Sequence, residues 1–279
     1  MNESEGGEIQ QINDELPNGL GETSYLNVDE EWLGLSERLG RPKICKNVFY
    51  PAVHSWIAEN FSADPDKFSY FEAGCGHGND LRAFRSNLAT KGRYLGVDMS
   101  VAEINHGLEY YHEESGEDTN VARNWFVQGD LRDLKQVNAW DSANESFTKP
   151  IALNDNEFDV VYFASVLHGL GYGQSTFHEK QAAAQQMLNE LTRISKPGGR
   201  LFGLANVFGS GISQDEQIDY MRATNNWRFN PSVELVREMI QQAGHRIIND
   251  DVRTDRVLKE KADRKDLYRY SFLAEKIGE

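Results

Sequence analysis

Apolar residues in this chain fall into short dense runs separated by stretches where they recur every three or four positions. The densest run, Glu157-Phe-Asp-Val-Val-Tyr-Phe-Ala-Ser-Val-Leu-His168, is apolar at both odd and even positions, as a strand covered on both faces reads. Comparable runs at 68–73, 93–98, 124–130, 196–205, 244–248 and 268–274 predict six further strands. Between them lie helical spacings. Val101 to about Tyr111 is one, and Phe177 to Ile194, with Ala183, Met187, Leu188 and Leu191 inward, is another. Leu81 and Phe84 begin a third, and Pro231 to Ala243 makes a fourth. Strands alternating with helices at this pitch predict an α/β fold, a doubly wound, mostly parallel sheet of seven strands.

Three stretches break the alternation. Residues 1–28 are acidic and almost free of periodic apolar positions, which predicts a flexible leader. Over 29–66, Trp32, Leu33, Leu35 and Leu39 have helical spacing, Gly40-Arg41-Pro42 interrupts it, and Val53, Trp56, Ile57 and Phe61 resume it from about Pro51. This predicts an N-terminal helical cover ahead of a main domain over 67–279, with Tyr50 and His54 as loose candidates for lining a pocket. Residues 132–157 are polar and aperiodic and contain Pro150. They read as an inserted loop with a short helix around Val137–Trp140.

The candidate chemistry starts at Phe68-Ser-Tyr-Phe-Glu72-Ala-Gly74-Cys-Gly76-His-Gly78-Asn-Asp80. An apolar strand breaks into three glycines at alternate positions and runs into a helix. Such a turn brings backbone N–H groups and the positive end of a helix dipole to one point. The spacing departs from a dinucleotide fingerprint, because Asn79 stands where G-x-G-x-x-G needs its third glycine. No G-K-[ST] follows, which excludes a P-loop. Asp98 ends the second strand twenty residues after Gly78, and Asp130 ends the third. A carboxylate at a strand tip has two acceptor oxygens, enough for both hydroxyls of a ribose. Asp98-Met99-Ser100 also suits a helix cap through Ser100, and the two roles are compatible.

Composition narrows the class. The net charge is −15, but residues 1–37 carry ten acidic and no basic residues, leaving the body near −5. Neither part has the concentrated basic face of a nucleic-acid binder. No apolar run approaches the roughly 18 residues needed to span a bilayer, and the start lacks the marks of a signal peptide. Two cysteines, Cys45 and Cys75, form no disulfide framework and have no metal-ligand spacing. These features predict a cytoplasmic protein without a bound metal.

Glu72-x-Gly74-x-Gly76-x-Gly78, with Asp98, Asp130 and Lys196-Pro-Gly-Gly199 in order behind it, resembles the class I S-adenosylmethionine (SAM) dependent methyltransferases. The resemblance covers about 68–207. It implies a Rossmann-like fold, SAM as cofactor and S-adenosylhomocysteine (SAH) as product. Carried over residue by residue, it implies a cofactor site of Glu72, Gly74, Cys75, Gly76, Gly78, Asp98, Met99, Asp130, Leu131 and Phe163, with Ala164 and Ser165 near the sulfonium. His168, at the tip of the fourth strand, is the first choice for a base or orienting group, and His178 and Tyr172 are weaker ones. Residues 206–230, with Phe208, Tyr220 and Trp227, read as a lid over a small-molecule acceptor.

Two alternatives stand beside this reading. The run Gly74-Cys-Gly-His-Gly-Asn-Asp80-Leu and the strand ending Leu167-His168 are also similar to RNA cap guanine-N7 methyltransferases. No Tyr follows His168, however, and the body is not basic. The other alternative is a catalytically silent SAM-fold protein with a binding or regulatory role. Intact Glu72, Asp98 and Asp130 weigh against it.

Overall fold

The computed structural model describes residues 50–61, 64–88, 92–115, 122–170, 176–208, 213–223, 229–254 and 267–278. The leader, Tyr172, Trp227 and the first helix of the expected cover lie outside them, as do the side chains of Tyr50, His54 and Tyr220.

Nine strands form one sheet: β1 (Ser69–Ala73), β2 (Arg93–Asp98), β3 (Phe126–Gly129), β4 (Val137–Asp141), β5 (Ser146–Ile151), β6 (Phe158–Ala164), β7 (Ser195–Phe208), β8 (His245–Thr254) and β9 (Leu267–Lys276). Their order is β5-β4-β3-β2-β1-β6-β7-β9-β8. The five strands from β3 to β7 run parallel, and antiparallel pairs close both ends. The expected seven-stranded, mostly parallel sheet is therefore corrected to nine strands with as many antiparallel as parallel pairings.

The two additional strands come from 132–157. That stretch is a hairpin, β4–β5, and not a loop with a short helix. Trp140 lies across from Phe147, ring centroids 5.2 Å apart, and Arg123 covers the indole at 4.1 Å. Such cross-strand aromatic pairing stabilises a hairpin at a sheet edge. β5 is the outermost strand, so Pro150 lacks no ladder bond and polar side chains face outward, which hides the strand from a periodicity reading.

Helices cover both faces. On one side α1 (Tyr50–Asn60), α2 (Asn79–Leu88) and α3 (Val101–Ser115) bury Val53, Ile57, Leu81, Phe84, Ile104 and Leu108. On the other, α4 (Phe177–Ile194), α5 (Gln214–Ala223) and α6 (Val233–Gln242) bury Met187, Leu188, Leu191, Ile218, Val236 and Ile240. β1 is the middle strand and β6 lies beside it, with all five and all seven residues buried. Thr176 and Glu179 start α4 with a reciprocal capping box, and Ser232 caps α6 by accepting from the Leu235 amide at 3.2 Å. Among the described residues no helix is long and apolar enough to cross a membrane.

At the entering ends of β1 and β6 a buried polar knot fixes their relative height. Asp159 Oδ2 accepts from the Ser69 amide at 2.9 Å, the Ser69 hydroxyl at 2.5 Å and Lys196 Nζ at 2.8 Å. A buried carboxylate so supplied is stable where an unpaired one would not be. The register it holds brings Ala73, Asp98 and Ala164 out at the same end of the sheet.

Candidate functional site

At that end β1 turns into α2 through Gly74–Gly78. Gly74, Gly76 and Gly78 all have positive φ, at 64°, 51° and 68°. Two of them are also places of close packing. A Cβ on Gly74 would lie 2.6 Å from Val166 Cγ2, and one on Gly78 would lie 2.6 Å from Phe126 Cζ. Gly76 is different, since the nearest atom to its would-be Cβ is Glu103 Oε2 at 3.9 Å. The middle glycine thus presents bare backbone on the open side of the turn.

Asp98 faces this backbone. Its Oδ2 accepts from the Gly76 amide at 2.8 Å and its Oδ1 from the Ser100 amide at 2.9 Å. Burial raises its pKa above the ordinary carboxylate value, aided by the charge of Glu103 and opposed by these amide bonds. Ser100 caps α3 by accepting from the Glu103 amide at 3.2 Å. Capping falls to Ser100, then, and the Asp98 carboxylate is tied to the glycine turn. Next to it Met99 is 51% exposed, an unusual position for a large apolar side chain.

The hairpin reaches this rim. Asn138 Nδ2 donates to Gln128 Oε1 at 3.0 Å, and Gln128 Nε2 donates to the Met99 carbonyl at 3.4 Å. Asp130, just past β3, is held by Arg132, whose Nε lies 2.9 Å from each carboxylate oxygen and whose Nη2 lies 2.5 Å from Oδ2. Burial works to raise the Asp130 pKa, but the Arg132 hydrogen bonds and charge bring it below the ordinary value. The Leu131 side chain is buried in the core, leaving its backbone at the rim.

Other predicted residues are placed differently. Glu72 is 1% exposed, opposite Gly96 and Tyr162 within the sheet. Cys75 packs against Gly96, and its amide donates to the Val97 carbonyl at 3.0 Å, a structural role in the turn. Phe163 is fully buried with its ring 5.7 Å from that of Phe272, so its side chain belongs to the core and only its backbone approaches the rim. Phe208 is likewise core and no part of a lid. His168 stands on a 3-10 turn, Leu167–Gly169, directly after β6 and is 8% exposed, with its carbonyl accepting from the Phe229 amide at 3.2 Å. His178 is exposed on α4.

Ser165 was expected at this rim from the sequence, whereas Tyr162, Asp80 and His77 were not singled out there. Ser165, the first residue past β6, has φ 58° and donates its amide to the Leu204 carbonyl at 2.7 Å. Left-handed backbone in a non-glycine residue stores strain and recurs at functional sites. Tyr162 donates its hydroxyl to Asp80 Oδ2 at 2.9 Å, stacks with Tyr70 and meets Phe84 edge-on, tying β6 to α2. His77, within the glycine turn, meets Glu103 of α3. Only the glycine motif surrounding His77 and Asp80 marks them in the sequence, because their partners are distant along the chain.

Among the described residues no group of three or more His, Cys, Asp or Glu has the geometry to hold a metal ion. A cleft of about 500 Å³ lined by Arg85, Arg93, Trp125 and Trp140 opens at the entering ends of β2 and β3, away from the glycine turn. It is no part of the site described.

Glycine turn, strand-tip carboxylates and parallel centre all fall within one span that matches a known family. Residues 71–201 match a methyltransferase domain. That span is a little under half of the chain. No curated protein matches the chain. Around the methyltransferase domain, the fold is similar to that of three solved structures, among others. One is a sarcosine dimethylglycine methyltransferase assigned in Galdieria sulphuraria, at 13% identity and TM-score 0.54, covering 81% of this chain and 85% of the other. Another is the geranyl diphosphate C-methyltransferase of Streptomyces coelicolor A3(2), solved with Mg2+, geranyl diphosphate and SAH, at 10% identity and TM-score 0.53, covering 81% and 79%. The third is the [4+2]-cyclase SpnF, at 17% identity and TM-score 0.52, covering 81% of each chain. At these identities the likeness is one of fold.

Proposed function

We propose that this chain is a SAM-dependent methyltransferase acting on a small-molecule acceptor. The observation that carries the reading is the Gly76–Asp98 contact, an open backbone turn joined to a strand-tip carboxylate inside the span that matches a methyltransferase domain. Ligands of open α/β sheets bind outside the carboxyl ends of the strands, and this is where both residues stand.

When bound, SAM supplies a methyl group on a sulfonium that is already activated for in-line displacement. The chain's own work is alignment and exclusion of water. Asp98 accepts from the amides of Gly76 and Ser100, and an ionised carboxylate has about four acceptor positions, which leaves capacity for ribose hydroxyls. Met99 offers its exposed thioether side chain to the adenine face, and Asp130 with the Leu131 backbone serves the adenine edge. Gly74, Gly76 and Gly78 let the amino-acid end lie against the turn, with Cys75 and Glu72 shaping it from beneath. The backbone from Phe163 to Ser165 borders the reacting carbon.

His168 follows directly on that border and takes the acceptor's proton or orients the acceptor. The Phe229 amide donates to the His168 carbonyl while its ring packs 5.2 Å from that of Phe177 in the core, which anchors the turn that carries His168.

A fold shared with a [4+2]-cyclase shows that architecture alone does not dictate methyl transfer. Two measurements decide the matter. Calorimetry should show saturable SAM and SAH binding that is weakened in Asp98→Ala. Transfer of a radiolabelled methyl group over lysate fractions should label small molecules. Label in RNA alone would instead support cap methylation, and binding without any label would support a silent binding protein.

A further inference from the structure

The glycine turn is docked on α3 at two points. His77 Nε2 meets Glu103 Oε2 in an ion-pair contact, with side chains only 14% and 21% exposed. The His77 carbonyl also lies so close to Gly107 that a Cβ there would sit 2.2 Å from its oxygen. The His106 ring, 4.9 Å away, meets the His77 ring edge-on. Glu103 Oε2 is in addition the atom nearest to the open side of Gly76, and its charge acts on Asp98. One carboxylate oxygen therefore stands between the imidazole, the bare backbone of the turn and the strand-tip acid.

We infer that Glu103 and His77 form a positioning clamp for the cofactor turn, and that the charge on His77 tunes how tightly the nucleoside end of the cofactor is held. The inference rests on the proposed cofactor reading. With His77 protonated, Glu103 is neutralised and the turn is drawn onto α3. With His77 neutral, Glu103 is left as a bare negative charge beside Asp98, and the clamp loosens. The titratable groups that meet His77 are Glu103 and His106 on α3, with Asp98 of β2 beyond Glu103. Neither His77 nor Glu103 touches the reacting atoms; both act through Gly76 and Asp98.

The test is SAH calorimetry from pH 5.5 to 8.5. In the wild type the affinity should weaken about fivefold from the acidic to the basic end of that range, as for loss of a partly shielded ion pair. His77→Gln should hold the wild type's high-pH affinity at every pH, and Glu103→Gln should also lose the step. His106→Gln should keep it. A step that survives in His77→Gln or Glu103→Gln, or that is missing from the wild type, overturns the clamp. A second measurement needs no cofactor: in NMR of the ligand-free protein the Gly76 amide should titrate with the same midpoint as the His77 ring. If SAH fails to bind but this coupling is present, the cofactor reading falls and the clamp stands. If the Gly76 amide ignores His77, the clamp falls whatever SAH does.

Discussion

The carboxylate of Asp98 accepts a 2.8 Å hydrogen bond from the amide of Gly76, twenty-two residues earlier, and so closes the glycine turn against the tip of the next strand. The bond places an acceptor for hydroxyl groups and an exposed stretch of backbone on one rim. It also holds an acid with a raised pKa at that rim, because burial and the neighbouring Glu103 both disfavour its charge.

Cofactor affinity should therefore depend on acid. On the proposed reading the ionised form of Asp98 accepts from ribose hydroxyls, so SAH affinity should be full at neutral pH. It should fall as pH drops through the raised pKa, beginning above the ordinary aspartate value of about 3.9. Asp98→Ala should weaken SAH binding about 10- to 100-fold, in line with roughly 1.5–3 kcal/mol for a charged hydrogen bond. Calorimetry across pH on wild type and variant checks both. The acid-side loss is opposite in sign to the effect of His77.

Gly76 and Gly78 should fail in different ways. Gly78→Ala combines positive φ with a Cβ 2.6 Å from Phe126, and should destabilise the fold by about 2–4 kcal/mol. Gly76→Ala meets no close atom, so it should lose only about 1–2 kcal/mol from backbone strain. Its methyl group would occupy the open side of the turn, and SAH binding should be lost. Urea denaturation paired with SAH titration separates the two outcomes.

On the proposed reading His168 serves the acceptor and not the nucleoside end of the cofactor. His168→Ala should lower kcat by about 100-fold or more while leaving the SAH Kd within about twofold. Equal turnover in variant and wild type would remove His168 from the mechanism.

His245 begins β8 and is 1% exposed, with Nδ1 3.0 Å from Thr192 Oγ1. Burial, helped by the charge of Lys276, lowers its pKa from 6.5 to about 4. The unfolded chain binds the proton first as pH falls. Stability is thus complete above about pH 6.5 and is lost progressively down to about pH 4, by roughly 3 kcal/mol in all. Denaturant unfolding between pH 4 and 7 should show this slope, and His245→Gln should flatten it.

Much of the architecture was legible beforehand because it is written locally. Phe177–Ile194 reads as a helix and is one, and the buried run that became β6 lies inside the sheet between β1 and β7. The hairpin over 137–151 was not legible, because an edge strand with one face in water has no continuous apolar signature. Phe163 and Phe208, read as lining the cofactor and as part of a lid, have their side chains buried in the core. An aromatic residue at a strand end fits a core as well as a pocket, and only the packing of Phe163 on Phe272 distinguishes them.

By itself the sequence determined the alternation of strand and helix, the glycine turn, and the acids that end the second and third strands, since each follows from residue types at short spacing. The tertiary structure alone decided that Gly76 and not its neighbours faces outward, that Asp98 closes on it, and that His77 docks on Glu103. Those pairings join segments far apart in the chain, and their geometry is set by strand register and helix packing, which no local pattern encodes.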